Sequence, residues 1–245
     1  MRRISFQPAF VLHRRSYRET SFLVELFTPD HGRLTVTARG VRQAKSPSQG
    51  LLQPFTPLIV SWSGKGELMT LAQVDAHGEV RRLRGDALFA GFYLNELLMA
   101  LLQKWDAHPR LFKVYDEALC ALQELPLNQR ALRVFEKILL EELGYGLMPR
   151  DSADGDNDFL PDKYYRFVPD QGFVISELGE DAKAKSSLFS GKSLLAIASE
   201  NWGDEDCMRD AKRLTRFVLS PLLGQRQIHS RKLFMQPGEA KIEEE

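Results

Sequence analysis

Two different residue patterns meet near residue 80 and together predict an α+β chain. Before that point short runs rich in β-branched and aromatic residues follow one another, with turn residues between them. After it the apolar residues recur at helical spacing. A third observation is electrostatic: residues 1–85 hold 13 Lys/Arg against 6 Asp/Glu, and the remaining 160 hold 20 against 27, although the whole 245-residue chain is neutral. A basic first third on an acidic remainder is the pattern of a lobe that meets a polyanion.

Taken in order, Ala9–His13, Ser21–Phe27 and Arg33–Arg39 are the first three expected strands, and Pro29-Asp30-His31-Gly32 is the turn between the second and third. In the third, Leu34, Val36 and Ala38 alternate with polar residues, as in a half-buried strand. Two more runs, at about 55–62 and 67–74, flank Ser63-Gly64-Lys65-Gly66. Five short antiparallel strands in fewer than 80 residues fit a Greek-key barrel of the OB type, with a small SH3-like barrel as the alternative. Helices are expected at about 86–105 with Asp86 as cap, 109–124 behind Pro109, and 127–143 ended by Gly144. Two more are expected at about 191–199 and 205–220. Residues 1–80 therefore read as the barrel, 81–235 as a mostly helical domain, and 236–245 as a flexible tail. An irregular acidic insertion spans about 146–185, with 9 Asp/Glu against 2 Lys/Arg between 151 and 182 and a short hairpin at Tyr164–Val168 and Gly172–Ile175.

Several chemistries are excluded by spacing. Cys120 and Cys207 are far apart, which leaves no disulfide scaffold and no CxxC metal site. His13, His31, His77, His108 and His229 show neither HxxxH nor HExxH spacing, and there is no GxSxG elbow. Ser190-Gly191-Lys192-Ser193 matches the end of a phosphate-binding loop, but position 186 is serine where the loop needs glycine, so Ser190 reads as a helix cap. Asp154, Asp156 and Asp158 alternate as in a calcium loop without its glycine or its leading helix. The expectation is a non-enzymatic protein with no metal and no cofactor. Without an apolar window of membrane-spanning length or a signal-peptide core, it is also expected to be cytoplasmic.

What remains is binding chemistry. Arg14, Arg15 and Arg18 are expected in the turn after the first strand, and Arg33, Arg39, Arg42 and Lys45 along the third strand and its following loop. Lys/Arg at such positions neutralise phosphates on an OB face, and Phe22, Phe27 and Trp62 are either stacking faces or core. On the third helix Arg130, Arg133 and Lys137 repeat at i, i+3, i+7 beside Leu132 and Phe135, and Arg209, Lys212 and Arg216 repeat that edge on the last. A basic edge bordering apolar residues suits an acidic peptide with an apolar end.

Blocks of this sequence also resemble the RecO family of bacterial DNA repair proteins. They are Ala9–Arg14, Arg18–Ser21, Gln53–Leu58, Tyr93–Leu98, Phe135-Glu136 with Leu143–Gly146, Leu214–Arg216 and Ser230–Phe234, in one order from residue 9 to 234. The resemblance implies an N-terminal OB-fold, a helical C-terminal domain and a recombination-mediator role without catalysis in the RecF pathway. It implies binding of single- and double-stranded DNA, annealing of complementary strands, association with RecR, capture of the acidic C-terminal tail of single-stranded-DNA-binding protein, and help in loading the RecA recombinase. A monomer associated with the nucleoid is expected. Some members carry a four-cysteine zinc site after the Gly-Tyr-Gly segment; residues 147–162 here contain no cysteine. A protein–protein adaptor with only weak DNA binding is the alternative.

Overall fold

The first strand, β1, runs from Arg2 to Tyr17, much longer than its apolar run, because it serves two neighbours. Its first half pairs with β4 (Leu58–Gly64) and its second with β2 (Ser21–Thr28). With β3 (Gly32–Ala38) and β5 (Leu68–Ala76) it closes a barrel of order β1-β2-β3-β5-β4. The parallel β3–β5 pair completes the ring, and the closed five-stranded barrel is OB-like. A single turn of helix, α1 (Ser48–Leu51), precedes β4 and was not foreseen. The computed structural model describes all residues except 1, 44, 45, 47, 147–158, 169, 170, 177–186, 202, 204 and 234–245. Lys45, the alternating aspartates and the expected tail thus lie outside the described residues, as does most of the acidic insertion.

By packing the chain forms two compact units, residues 1–128 with 226–245, and residues 129–225. In the first, the barrel interior holds Val11, Val24, Leu26, Leu34, Val36, Val60 and Trp62, all fully buried. The outer face of β1 and β2 is also covered. Phe10 and Phe27, cross-strand partners, meet Phe112 and Tyr115 of α3 (Pro109–Ala121) at centroid distances of 5.1–6.0 Å. Helix α2 (Asp86–Leu101) buries Tyr93, Leu94, Leu97 and Leu98. Asp86 is not its cap: Gly85 holds that place, and Asp86 sits in the first turn, where its charge favours the helix dipole. The helix also stops short of Trp105, because Leu102 turns extended and Lys104 bridges to Gly32 and Arg33 of β3. That approach needs glycine at position 32, since an added Cβ would stand 1.6 Å from the Asp106 carbonyl oxygen.

One polar side chain joins these layers. The ladder between β1 and β2 slips between Val11 and His13, which leaves Leu12 out of register. Asn95 of α2, 2% exposed, donates from Nδ2 to the Leu12 carbonyl at 2.9 Å. Its Oδ1 accepts from the Tyr115 hydroxyl at 2.6 Å. Full burial, reinforced by Asp116, pushes the Tyr115 phenol far above its ordinary pKa, so it stays a donor. The next residue, Glu96, accepts from the backbone N–H and hydroxyl of Ser230, which opens α7 (Ser230–Leu233).

The second unit contains α4 (Gln129–Glu142), α5 (Gly191–Ala198), α6 (Glu205–Leu223) and a sheet of order β7-β6-β8. The expected hairpin is β6 (Tyr164–Val168) with β7 (Gly172–Ser176); β8 (Leu188–Ser190), three residues long, escapes any sequence pattern. Gly144, at φ +81°, ends α4 in a Schellman motif, with Tyr145 N–H on the Leu140 carbonyl and Gly144 N–H on that of Glu141. Ser190 caps α5 as expected, accepting from Ser193 N–H at 3.1 Å. Helix α6 runs three residues past its expected end and keeps Pro221 in its last turn.

Replacing Asn95 by Ala strands a buried carbonyl and a buried hydroxyl, and should lower the unfolding free energy of the first unit by about 1–3 kcal/mol. Tyr115→Phe removes only one bond and should cost less, about 0.5–1.5 kcal/mol. Urea denaturation of both variants checks the order; equal midpoints for wild type and Asn95→Ala would show that the amide holds nothing together.

Candidate functional site

The basic residues of the barrel gather where β1 turns into β2 and β3 ends. Tyr17 pairs with Ser21 to close the hairpin, and Phe22 pairs with Ala38, which brings Arg39 beside the turn. Arg18 sits at the tip with φ +53°. Arg42 returns to it: its N–H donates to the Thr20 carbonyl at 3.0 Å and its guanidinium to the Arg18 carbonyl at 3.1 Å. Arg14 and Arg42 both face the Phe22 ring, at 4.8 and 6.0 Å from its centroid. Arg14 also donates to the Gln49 carbonyl at 3.0 Å, and partial burial lowers its pKa.

Arg18 and Arg39 line a cleft of about 810 Å³ together with Tyr17, Glu19, Thr37 and Thr70. A cleft edged by guanidiniums and hydroxyls offers a polyanion both charge and hydrogen-bond donors. Arg14 and Arg15 belong to strand β1, not to the turn expected for them, because β1 continues to Tyr17. Arg15 is exposed opposite Leu23, so that part of the basic set is still presented to solvent.

Other expected residues are not brought there. Arg33 is spent on the scaffold, with Glu25 at 3.5 Å and the Leu102 carbonyl at 3.2 Å. Phe27 and Trp62 are completely buried and Phe22 is 9% exposed, so all three are core, Phe22 being also the floor under Arg14 and Arg42. Sequence reasoning missed Tyr17, whose ring lies 5.3 Å from the Arg18 guanidinium. An aromatic beside an arginine at a strand end was the available signal. Thr37 and Thr70 carried none.

The helical basic edge is a correction. Arg130 is exposed, but Arg133 and Lys137 are each 6% exposed and point inward beside Leu132 and Phe135. They are tolerated there because partners meet them. Arg133 Nη1 lies 2.6 Å from Glu136 Oε2 and donates to Thr215 Oγ1 at 3.0 Å. Lys137 Nζ donates to Glu200 Oε1 at 2.9 Å and to the Ala198 carbonyl at 3.3 Å. Arg133 Nε meets no acceptor among the described residues. On α6 the expected edge is exposed: Arg209 pairs with Asp206 at 2.9 Å, while Lys212 and Arg216 face solvent. Partial burial, then the Arg216 and Arg133 guanidiniums, push the Lys212 pKa down. The Glu136 carboxylate, already paired with Arg133, acts on Lys212 in the opposite direction.

Arg133→Ala should destabilise the second unit by about 3–5 kcal/mol, because it leaves the Glu136 carboxylate buried without its counter-ion. Arg133→Met combined with Glu136→Leu should recover most of that loss. Thermal denaturation of the two variants decides; a fully stable Arg133→Ala would mean the pair is not buried in solution.

The model of the recombination protein O N-terminal region matches residues 1–79, and that of the recombination protein O C-terminal region matches residues 82–232. The chain is 44% identical over 232 residues to the DNA repair protein RecO of Coxiella burnetii (strain RSA 331 / Henzerling II), covering 95% of this chain and 98% of that one. It is 41% identical over 235 residues to the DNA repair protein RecO of Dechloromonas aromatica, covering 95% and 96%. With the DNA repair protein RecO of Pseudoalteromonas atlantica it shares 44% over 227 residues, covering 93% and 92%. Two matched regions that meet where strand gives way to helix, and identity sustained over nearly the whole length, place this chain in the RecO family.

Proposed function

We propose that this chain is a non-enzymatic DNA-binding protein of recombinational repair. It anneals complementary strands and helps load the RecA recombinase onto protein-coated single-stranded DNA. The observation that carries the reading is the set Arg14, Arg18, Arg39 and Arg42 around one end of an OB-like barrel. Neutralising phosphates there lowers the repulsion between two strands held near one surface. The names of the relatives, all DNA repair proteins, point the same way. In this reading residues 1–80 meet single- and double-stranded DNA at the nucleoid, and residues 81–235 dock partners.

The partners proposed are RecR and the acidic tail of single-stranded-DNA-binding protein. For the tail, the supporting features are the exposed Lys212 and Arg216, one turn apart on α6. A terminal carboxylate is best held by a guanidinium with donors to spare. An adaptor that binds DNA weakly remains the second reading, because Arg14 and Arg42 already donate to backbone carbonyls and Glu19 lies in the cleft.

A salt titration separates the two. Replacing Arg18, Arg39 and Arg42 together by Ala should weaken binding to every oligonucleotide sequence and reduce the log–log salt slope by roughly 2–3. An unchanged slope would move the assignment to the adaptor. Annealing of two complementary protein-coated strands by the wild type, lost in the triple variant, completes the test. Separately, Lys212→Ala with Arg216→Ala should weaken an acidic peptide ending in an apolar residue by about 1.5–3 kcal/mol, with DNA affinity little changed. Undiminished peptide binding would place the tail elsewhere.

A further inference from the structure

Phe6 is the most exposed phenylalanine among the described residues, at 67%. It stands in the middle of β1, in a ladder that pairs Ile4 with Trp62 and then Gln7 with Val60. Ser5 and Phe6 therefore oppose the single residue Ser61, a bulge of one extra residue. At this bulge Phe6 has φ +56°, a conformation that normally selects glycine. Its backbone N–H is held by Ser61 Oγ at 3.1 Å, so the turned-out conformation is pinned. Neither the backbone nor the core accounts for a phenyl ring at this position. The backbone would be less strained with glycine, and the ring contributes little buried area.

Strand β1 carries cations toward both ends: Arg3 stands near the bulge, while Arg14 and Arg15 lie on its β2-paired half. Residues 2–18 hold five arginines and no acidic residue, and exposed Arg3 pairs with Ser63 just before the bulge. A rigidly presented aromatic face on an acid-free strand suits an unpaired base, whose π-face stacks without regard to sequence while neighbouring cations take the phosphates. The aromatics that the sequence offered for that task, Phe22, Phe27 and Trp62, are core. We infer that Phe6 is a base-stacking contact for single-stranded DNA. The inference rests on the DNA-binding reading above and adds a preference for unpaired bases, which a duplex keeps stacked inside.

The test compares wild type, Phe6→Ala, Phe6→Gly and Phe6→Tyr in the full chain, titrated into labelled oligo-dT and a labelled duplex. Phe6→Ala and Phe6→Gly should lose roughly 5- to 150-fold in affinity for oligo-dT, the range for one stacked base. Their salt slope should be unchanged and duplex affinity altered less than two-fold. Phe6→Tyr should keep the affinity. Phe6→Gly also relieves the backbone, so its loss cannot be put down to unfolding. Undiminished oligo-dT binding in Phe6→Ala and Phe6→Gly overturns the inference while leaving the arginine site standing. Equal losses on duplex and single strand overturn it too, since stacking would not act on both. A wild type that binds neither DNA overturns the parent reading and this one with it.

Discussion

A single buried amide fixes how the first unit is put together. Asn95 gives its N–H to a β1 carbonyl and its oxygen to the Tyr115 hydroxyl, so one side chain touches barrel, α2 and α3. The acceptor exists only because the β1–β2 ladder slips at Leu12. The bulge therefore needs the amide, which would otherwise leave a carbonyl buried without a partner, and the amide needs the bulge. The Phe10, Phe27, Phe112 and Tyr115 rings then pack around this polar joint. Apolar contacts alone permit sliding; the directional bonds at their centre select one docking of helices on barrel.

That docking decides which faces of the strands are left to water. With the outer side of Phe10 and Phe27 covered by α3, the exposed basic residues concentrate toward the β1–β2 turn and the end of β3. Phe22 lies beneath Arg14 and Arg42, and backbone carbonyls take one donor from each. Long side chains held this way lose less freedom when a ligand arrives than they would on an open surface.

The barrel, the long helices and the Ser190 cap were legible because each rests on local pattern: β-rich runs between turns, helical spacing in α4, a hydroxyl before Gly191. The half-burial expected of β3 was not met, because Thr35 and Thr37 are buried with its apolar residues. What was not legible depends on distant partners. Strand β1 starts at Arg2 since β4 is there to pair with it, and α2 ends early since Lys104 bridges to β3. Arg133 and Lys137 have the spacing of an exposed edge, yet Glu136, Thr215 and Glu200 draw them inward. The sequence contains those acceptors but no sign that they converge. Of the basic barrel residues, Arg18, Arg39 and Arg42 were found from density of charge alone; Arg33 was not separable from them, because its partners Glu25 and Leu102 are set by the fold.

The bond between Glu96 and Ser230 spans 134 positions of sequence, with the second unit lying between its two ends. On the ribosome, where chains grow at roughly 5–20 residues per second, the Glu96 carboxylate waits about 7–27 seconds for its serine to be made. During that interval the barrel and α2 have to hold their shape without α7, and the inserted unit emerges and can fold first. Vectorial synthesis thus completes the earlier unit last, and a nascent chain stalled before Ser230 would carry a finished insert on an unfinished host.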